Sequence, residues 1–378
     1  MFWFRNAKST LFLPAVISRR YSSDFGFKCV RLSNKHLLSV RGKDTFSLLQ
    51  GIVTNDIRHL YVNLDTSVHL NCIFAFMLRF NGRVFADLMM YTFNNQNNFA
   101  QNEASVVREG TDDDLVLIEC DSSLSKQILD FINTHKLRKK VTIDFSNGYS
   151  VFSIYPNIDA INANLKFELT KQIRDRKLLL TKDPRLNLLG YRLLIQNGSD
   201  VNFISDIVKK SVSEATVDDY REYRYKLGVG EGIIDHPVEN CFPLECNADY
   251  LHGVSFHKGC YVGQELTARI YHTGVIRKRL MPFEIDGTLK AESIKPNETI
   301  VSADNKRRVG KIRSLFKNFG LALLNVEEVA KCDFSVMCGD VKLKVLKPFW
   351  WPKVAQRSKI PCGRADHETN DTCSSMSN

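Results

Sequence analysis

Residues 258 to 265 read Lys-Gly-Cys-Tyr-Val-Gly-Gln-Glu, one thiol set between two glycines and beside a lysine. The chemistry this composition predicts is that of a reactive thiolate. Gly259 and Gly263 free the backbone to approach a ligand or take positive φ, and Gln264 to Arg269 are good helix formers whose N-terminal dipole would lie near Cys260. A cation at Lys258 together with a helix terminus lowers a cysteine pKa from its ordinary value of about 8.5. The same residues also fit a small buried apolar cysteine, and spacing alone leaves the two readings level. Gln264 and Glu265 either hydrogen-bond around the thiol or cap the helix. Arg269 and His272 either bind an anion or pack, Tyr261 completes the signature, and His252 and His257 are alternative partners for the thiol.

No second constellation competes with this one. The ten cysteines are scattered without Cys-x-x-Cys, and the closest pairs, Cys241/Cys246 and Cys332/Cys338, lack the spacing and further partners of zinc or ferredoxin sites. The nine histidines are dispersed, with no His-Glu-x-x-His. A metal centre held by this chain alone is not expected. Asn197-Gly-Ser and Asn297-Glu-Thr fit glycosylation only in a secreted chain.

Of the formal net charge of +10, four positives fall in residues 1–23, where Arg5, Lys8, Arg19 and Arg20 stand without an acidic residue among Phe2, Trp3, Phe4, Leu11 and Phe12. This is the pattern of a mitochondrial transit peptide, residues 1–21, and Arg19-Arg20-Tyr21-Ser22 resembles a matrix-protease site cleaved after Tyr21. A secretory signal fits poorly, because its apolar core would be short and arginines stand where small residues should precede cleavage. The matrix is the expected location, and its reducing conditions keep the cysteines as free thiols. The remaining positive bias forms no basic block interleaved with aromatics, so no nucleic-acid partner is expected. No run approaches the about 18 apolar residues of a membrane span.

The elements that must hold Cys260 follow from periodicity and turn residues. At 378 residues, 44% hydrophobic and 25% charged, the chain has room for two or three domains. Leu37 to Val40 reads as a strand, with Asp44 capping a helix over Thr45 to Gln50 that Gly51 stops. Cys72 to Leu78 and Val84 to Phe93 flank Asn81-Gly82, a strong hairpin signal. Asn94 to Asn98 is a polar turn. Leu115 to Cys120 is a strand, after which Asp121-Ser122 caps a helix carrying Leu124, Ile128, Leu129 and Ile132. Val141 to Phe145, Tyr149 to Tyr155, a segment from Lys177 and Tyr191 to Gln196 read as further strands. Asp218 to Leu227 is a helix ended by Gly228. Short strands joined as hairpins and separated by single helices predict an α+β fold with mixed or antiparallel sheets. Beyond Met281 the pattern becomes strands with almost no helix (Phe283 to Ile285, Thr299 to Ser302, Arg308 to Ser314, Gly320 to Leu324, Val341 to Val345), which predicts a small antiparallel barrel over 281–350 after a first domain over 28–280. Residues 353–378 are polar enough to be disordered.

With signature, hairpin and barrel in hand, residues 28 to 350 resemble the YgfZ/GcvT folate-binding family and, within it, the mitochondrial branch that assembles iron–sulfur clusters. The resemblance rests chiefly on Leu251 to Leu280, with support from Val40 to Asp44, Asn81-Gly82-Arg83-Val84, Asp183-Pro184-Arg185-Leu186 and Tyr220 to Gly232. It implies a GcvT-like folate-binding domain and a folate cleft at Asp87 and Arg224, with tetrahydrofolate as a candidate cofactor. Two positions depart from the related aminomethyltransferases. Where those look like Gly-Gly-Ile-x-Asp-Asp, Gly82 to Asp87 places Ala86 before Asp87; where those carry Arg-x-Glu-x-Gly, Arg224 to Gly228 carries Lys226. Loss of carboxylate acceptors for a pterin argues against aminomethyl transfer and against a classical enzyme.

Three functions compete. In a cluster-assembly factor, Cys260 is one ligand of a transient iron–sulfur cluster whose other thiolates come from a partner. The resemblance implies A-type scaffold proteins as partners and apo [4Fe–4S] enzymes as indirect clients. A folate-dependent one-carbon transferase is the alternative favoured by the family's fold and opposed by Ala86 and Lys226. A binding module with a structural cysteine is the third.

Overall fold

The computed structural model describes residues 26–60, 71–93, 114–157, 173–175, 178–199, 204–205, 211–274, 276–286 and 294–352. The predicted presequence, the Asn94 to Asn98 turn and the 353–378 tail lie outside them. The first part of the chain runs β1 (Phe27–Arg31), β2 (Lys35–Arg41), α1 (Thr45–Ile52), β3 (Cys72–Leu78), β4 (Val84–Thr92), β5 (Leu115–Asp121), α2 (Ser125–Lys136) and β6 (Thr142–Phe145). It continues through β7 (Tyr149–Pro156), β8 (Ile173–Asp175), β9 (Leu178–Lys182), β10 (Tyr191–Gln196), β11 (Val212–Glu214), α3 (Val217–Leu227), α4 (Gly232–Asp235) and α5 (Gln264–Thr273). The last part is β12 (Lys278–Ile285), β13 (Thr299–Ser302), β14 (Arg308–Phe316), β15 (Phe319–Asn325), α6 (Val326–Lys331), β16 (Ser335–Cys338) and β17 (Val341–Val345).

These strands make a five-stranded sheet ordered β3-β4-β5-β2-β6, a six-stranded sheet ordered β11-β1-β7-β10-β9-β8, and a closed barrel ordered β12-β15-β14-β13-β16-β17. Among the described residues only β1 and β11 pair in parallel. The fold is therefore α+β with a C-terminal antiparallel barrel. Among the described residues no helix is long and apolar enough to cross a membrane.

Every residue of β3 and β4 is buried, because both faces of this hairpin are covered. Side-chain alternation sorts them. Phe74, Phe76, Leu78, Met89 and Tyr91 join the core between the two sheets, whereas Ile73, Ala75, Met77, Ala86, Leu88 and Met90 join a second core with Leu48, Leu49, Ile128 and Ile132 from α1 and α2. The barrel has its own core around Phe283, Ile312 and Leu343. Tyr225 of α3 with Leu280 and Leu321 seals the barrel to the rest.

Caps differ from expectation where a carboxylate has found a more distant partner. Asp44 sits at the N-cap of α1 without capping it; its Oδ2 accepts the Lys140 N–H at 2.6 Å, and the helix runs past Gly51 to Ile52. Asp121 does not cap α2, whose N-cap is Leu124; its carboxylate accepts the N–H groups of Ser123 (3.0 Å) and Ile233 (3.1 Å). The α3 start is a full capping box, Thr216 with Asp219, and its end is Gly228 in left-handed conformation. The barrel also carries a helix that periodicity missed: α6, capped by Asn325 through the N–H groups of Glu327 and Glu328.

Candidate functional site

Cys260 is exposed on the loop that leads into α5. That excludes the small buried apolar residue its composition also allowed. The N-cap of α5 is Gly263, three positions on, so no side chain caps the helix; its first turn carries Glu265, and the Gln264 N–H is donated to the Tyr261 carbonyl at 3.2 Å. Gly263 takes φ +76° because it lies against the β3–β4 tip. That tip spans residues 79–83, with the Gly82 N–H donated to the Arg79 carbonyl at 2.8 Å. Glu265 and Arg269 form an exposed ion pair along α5 rather than a shell around the thiol.

Lys258 departs from expectation. Its ammonium does not serve the thiol but turns inward to the C-terminal end of α1, donating to the carbonyls of Gln50 (2.7 Å), Val53 (2.7 Å) and Asn55 (2.8 Å). A cation there completes the unfilled carbonyls of the helix end. Burial lowers its pKa to about 7, against the pull of the nearby Asp56 carboxylate. Its Nζ also lies 5.0 Å from the ring centroid of buried Tyr261. Lys258 and Tyr261 are thus the anchors of the loop, and Cys260 is the side chain they leave outside. Upstream of Cys260, Ser255, Phe256 and His257 line a cleft of about 460 Å³ with His59, His252 and Asp249. Among the described residues no group of three or more His, Cys, Asp or Glu could hold a metal ion.

Asp87 and Arg224 belong to a different place, a buried charge network between the sheets. Glu231 lies at its centre, accepting from Arg185 (2.7 Å), Arg192 (2.8 Å) and Lys35 (3.1 Å), with the Arg224 Nε at 4.0 Å. Asp183 pairs with Arg185 at 2.7 Å and Glu119 with Arg192 at 3.3 Å. Burial opposes the charge on Glu231, and the cations of Lys35, Arg192 and Arg185 outweigh it, holding the carboxyl far below the usual carboxylate range. Asp87 accepts the Gly232 N–H at 3.0 Å and lies 3.4 Å from His236 Nδ1. Arg224 donates to Asp235 (3.0 Å) and to the Val229 carbonyl (2.9 Å).

These contacts test the fit of a folate. Asp87 and Arg224 are spent on the chain's own groups, and neither lines the cleft beside His257 or the groove between Arg83 and Arg308. The residues present do not fit a pterin at these positions. Strand alternation turns Ala86 into the core beneath α1 and α2, away from Asp87, so a carboxylate at 86 would not face the same site. Lys226 lies on α3 against Glu222 (2.7 Å) and the Phe319 ring.

Sequence reasoning missed the network's other members, Lys35, Glu119, Asp183, Arg185, Arg192 and Glu231. Asp183-Pro184-Arg185 and the Tyr220 to Gly232 stretch marked two of its places, yet no local pattern says that these charges are buried.

Residues 277–353 match the CAF17 C-terminal beta-barrel domain family. Over a longer stretch the chain is similar to the iron-sulfur cluster assembly factor IBA57, mitochondrial, of Mus musculus, 31% identical over 332 residues that cover 87% of this chain and 86% of the relative. The Homo sapiens protein of the same name gives the same identity and coverage. Among solved structures, glycine cleavage system aminomethyltransferase T from Bartonella henselae is similar at a TM-score of 0.59 and 10% identity, covering 86% of this chain and 87% of that one. At that identity the likeness is one of fold.

Proposed function

The chain belongs to the family of mitochondrial iron–sulfur cluster assembly factors represented by IBA57, and from that premise we propose that Cys260 is its working residue, a single thiolate ligand of a cluster shared with an A-type scaffold protein in the mitochondrial matrix. The cluster is cargo, passed on to apo [4Fe–4S] enzymes. The observation that carries this reading is exposure: Cys260 is the one exposed cysteine among the described residues. Binding releases the thiol proton, since the thiolate is the ligand. A cluster takes about four protein ligands; Cys260 offers one, and the partner supplies the rest. The rigid anchors on either side, Lys258 and Gly263, fix the loop so that little ordering entropy remains to be lost on docking.

Anaerobic reconstitution of the cluster with an A-type scaffold partner tests the assignment. The joint complex with the native chain should show cluster absorption in the visible range, and Cys260→Ser should lose it while far-ultraviolet circular dichroism stays unchanged. A serine variant with the native visible spectrum would sink the ligand role. For the compartment, N-terminal sequencing of the protein isolated from the matrix should begin near Ser22.

A further inference from the structure

Strand β14 of the barrel runs past the tip of the β3–β4 hairpin across a groove of about 490 Å³. Five cationic side chains line it: Arg83 from the tip, Lys278 from β12, and Arg308, Lys311 and Arg313 from β14. Against them stands one carboxylate, Glu245, which accepts the Phe242 N–H at 3.1 Å and is largely buried. Two of the cations are built in. Arg313 is 5% exposed and donates to the Asn240 carbonyl at 2.7 Å, while Arg83 donates to the Glu239 carbonyl at 3.3 Å and lies 4.6 Å from the Phe242 ring centroid. The other three, Lys278, Arg308 and Lys311, form no ion pair among the described residues.

A cleft with such an excess of one sign concentrates the opposite sign. Its shape narrows the choice. Arg308 to Arg313 extends along a strand at about 3.3 Å per residue, roughly 16 Å in all, which is longer than one small anion can span. Single-stranded nucleic acid would use open aromatic faces for stacking, and the aromatic ring in this groove, Phe242, is covered by the Arg83 guanidinium. We infer that the groove receives an extended acidic peptide segment of a protein partner, its carboxylates paired with Lys278, Arg308 and Lys311. The hairpin tip that forms one wall is the same tip that packs on Gly263 and Leu266, so the segment lies one hairpin away from the Cys260 loop. The site works whether or not Cys260 carries a cluster.

Fluorescence anisotropy of a fluorescein-labelled oligoglutamate peptide with the full chain is the test. The native protein should bind it with an affinity that falls as salt rises. Lys278→Glu combined with Lys311→Glu should weaken binding by about tenfold or more, Arg308→Gln should weaken it less, and Lys311→Arg should retain it. Cys260→Ser should bind like the native chain, which separates this site from the cluster reading. Thermal unfolding of each variant shows that the barrel persists, and the surface change Arg308→Gln keeps the question answerable if the double variant does not fold. Native-like binding by both the double variant and Arg308→Gln would overturn the inference. So would displacement of the peptide by equimolar inorganic phosphate, which would mean a small-anion site, or tighter binding of an oligonucleotide of equal length.

Discussion

Gly82 and Gly263 occupy each other's missing side chains. Both hold φ +76°, a Cβ on Gly263 would fall 2.4 Å from the Arg79 carbonyl oxygen and 3.3 Å from the Gly82 Cα, and a Cβ on Gly82 would fall 3.2 Å from the Gly263 carbonyl oxygen. The hairpin tip and the Cys260 loop are held together at this point, with the thiol three residues away.

Gly263→Ala is therefore expected to be costly. A left-handed backbone and a clash with main-chain atoms, which cannot swing aside, should together remove about 2–4 kcal/mol. Urea unfolding monitored by tryptophan fluorescence measures the loss. Gly259→Ala is the contrast: a Cβ there meets nothing within 4 Å and the backbone is not left-handed, so stability should change by less than about 0.5 kcal/mol.

Thiol labelling should rank the cysteines by exposure. Under native conditions iodoacetamide is expected to modify Cys260 well before Cys72, Cys120, Cys241, Cys246 or Cys338, all of which are buried. Peptide mapping after timed quenching reads the order. Burial raises the pKa of Cys72 and Cys120, the latter to about 12, which adds to their inertness. Modification of these two as fast as Cys260 would contradict the packing of Cys72 between the sheets and of Cys120 beneath α1 and α2.

Removing the central carboxylate should loosen both sheets. Glu231→Ala strips Lys35 of its ion-pair partner and leaves Arg185 and Arg192 only Asp183 and Glu119, and breaking a buried ion cluster this way costs about 3–5 kcal/mol. The expected result is a large drop in urea midpoint, with Glu231→Gln in between. A loss under about 1 kcal/mol would show that the cations find another partner.

The Asp87–His236 pair predicts a pH dependence. Burial works against the charge on His236, but the Asp87 carboxylate outweighs it and raises the imidazole pKa. Burial likewise opposes the charge on Asp87, and His236 and Lys35 outweigh it, holding the carboxyl well below the usual range. A raised histidine contributes stability that is complete below its unfolded value of about 6.5 and fades as pH climbs through its folded value. A depressed aspartate contributes above its unfolded value of about 3.9 and fades as pH drops toward its folded value. Urea midpoints of the native chain should decline from pH 6.5 to 8 through this pair. In Asp87→Asn that decline should be smaller, and an identical slope in the two proteins would rule out the pairing.

The sequence made repeating patterns legible and hid what depends on distant partners. β10, β13 and β17 match their expected bounds residue for residue, and α3 extends by one residue, because alternation, turn glycines and capping residues are local signals. β1 and β11 escaped notice because each is short and needs a neighbour far along the chain, such as Cys29 opposite Glu214, and β16, which pairs with the adjacent β17, escaped it because four residues carry little alternation. The thiol's place on a loop ahead of a helix was readable from glycine spacing. The direction of Lys258 was not, since only the fold brings the end of α1 beneath it. Asp44 and Asp121 failed as caps for the same reason, each captured by a backbone amide from another segment.

Barrel closure joins β12 to β17, Phe283 opposite Val345, and Trp350 then donates to the Leu227 carbonyl at 2.8 Å. Until the ribosome has released this last stretch, one margin of β12 stands bare, an invitation to pair with another nascent chain. A premature stop just before β17 would remove residues 341–378, a tenth of the chain, and would turn a sealed cylinder into a sticky ribbon.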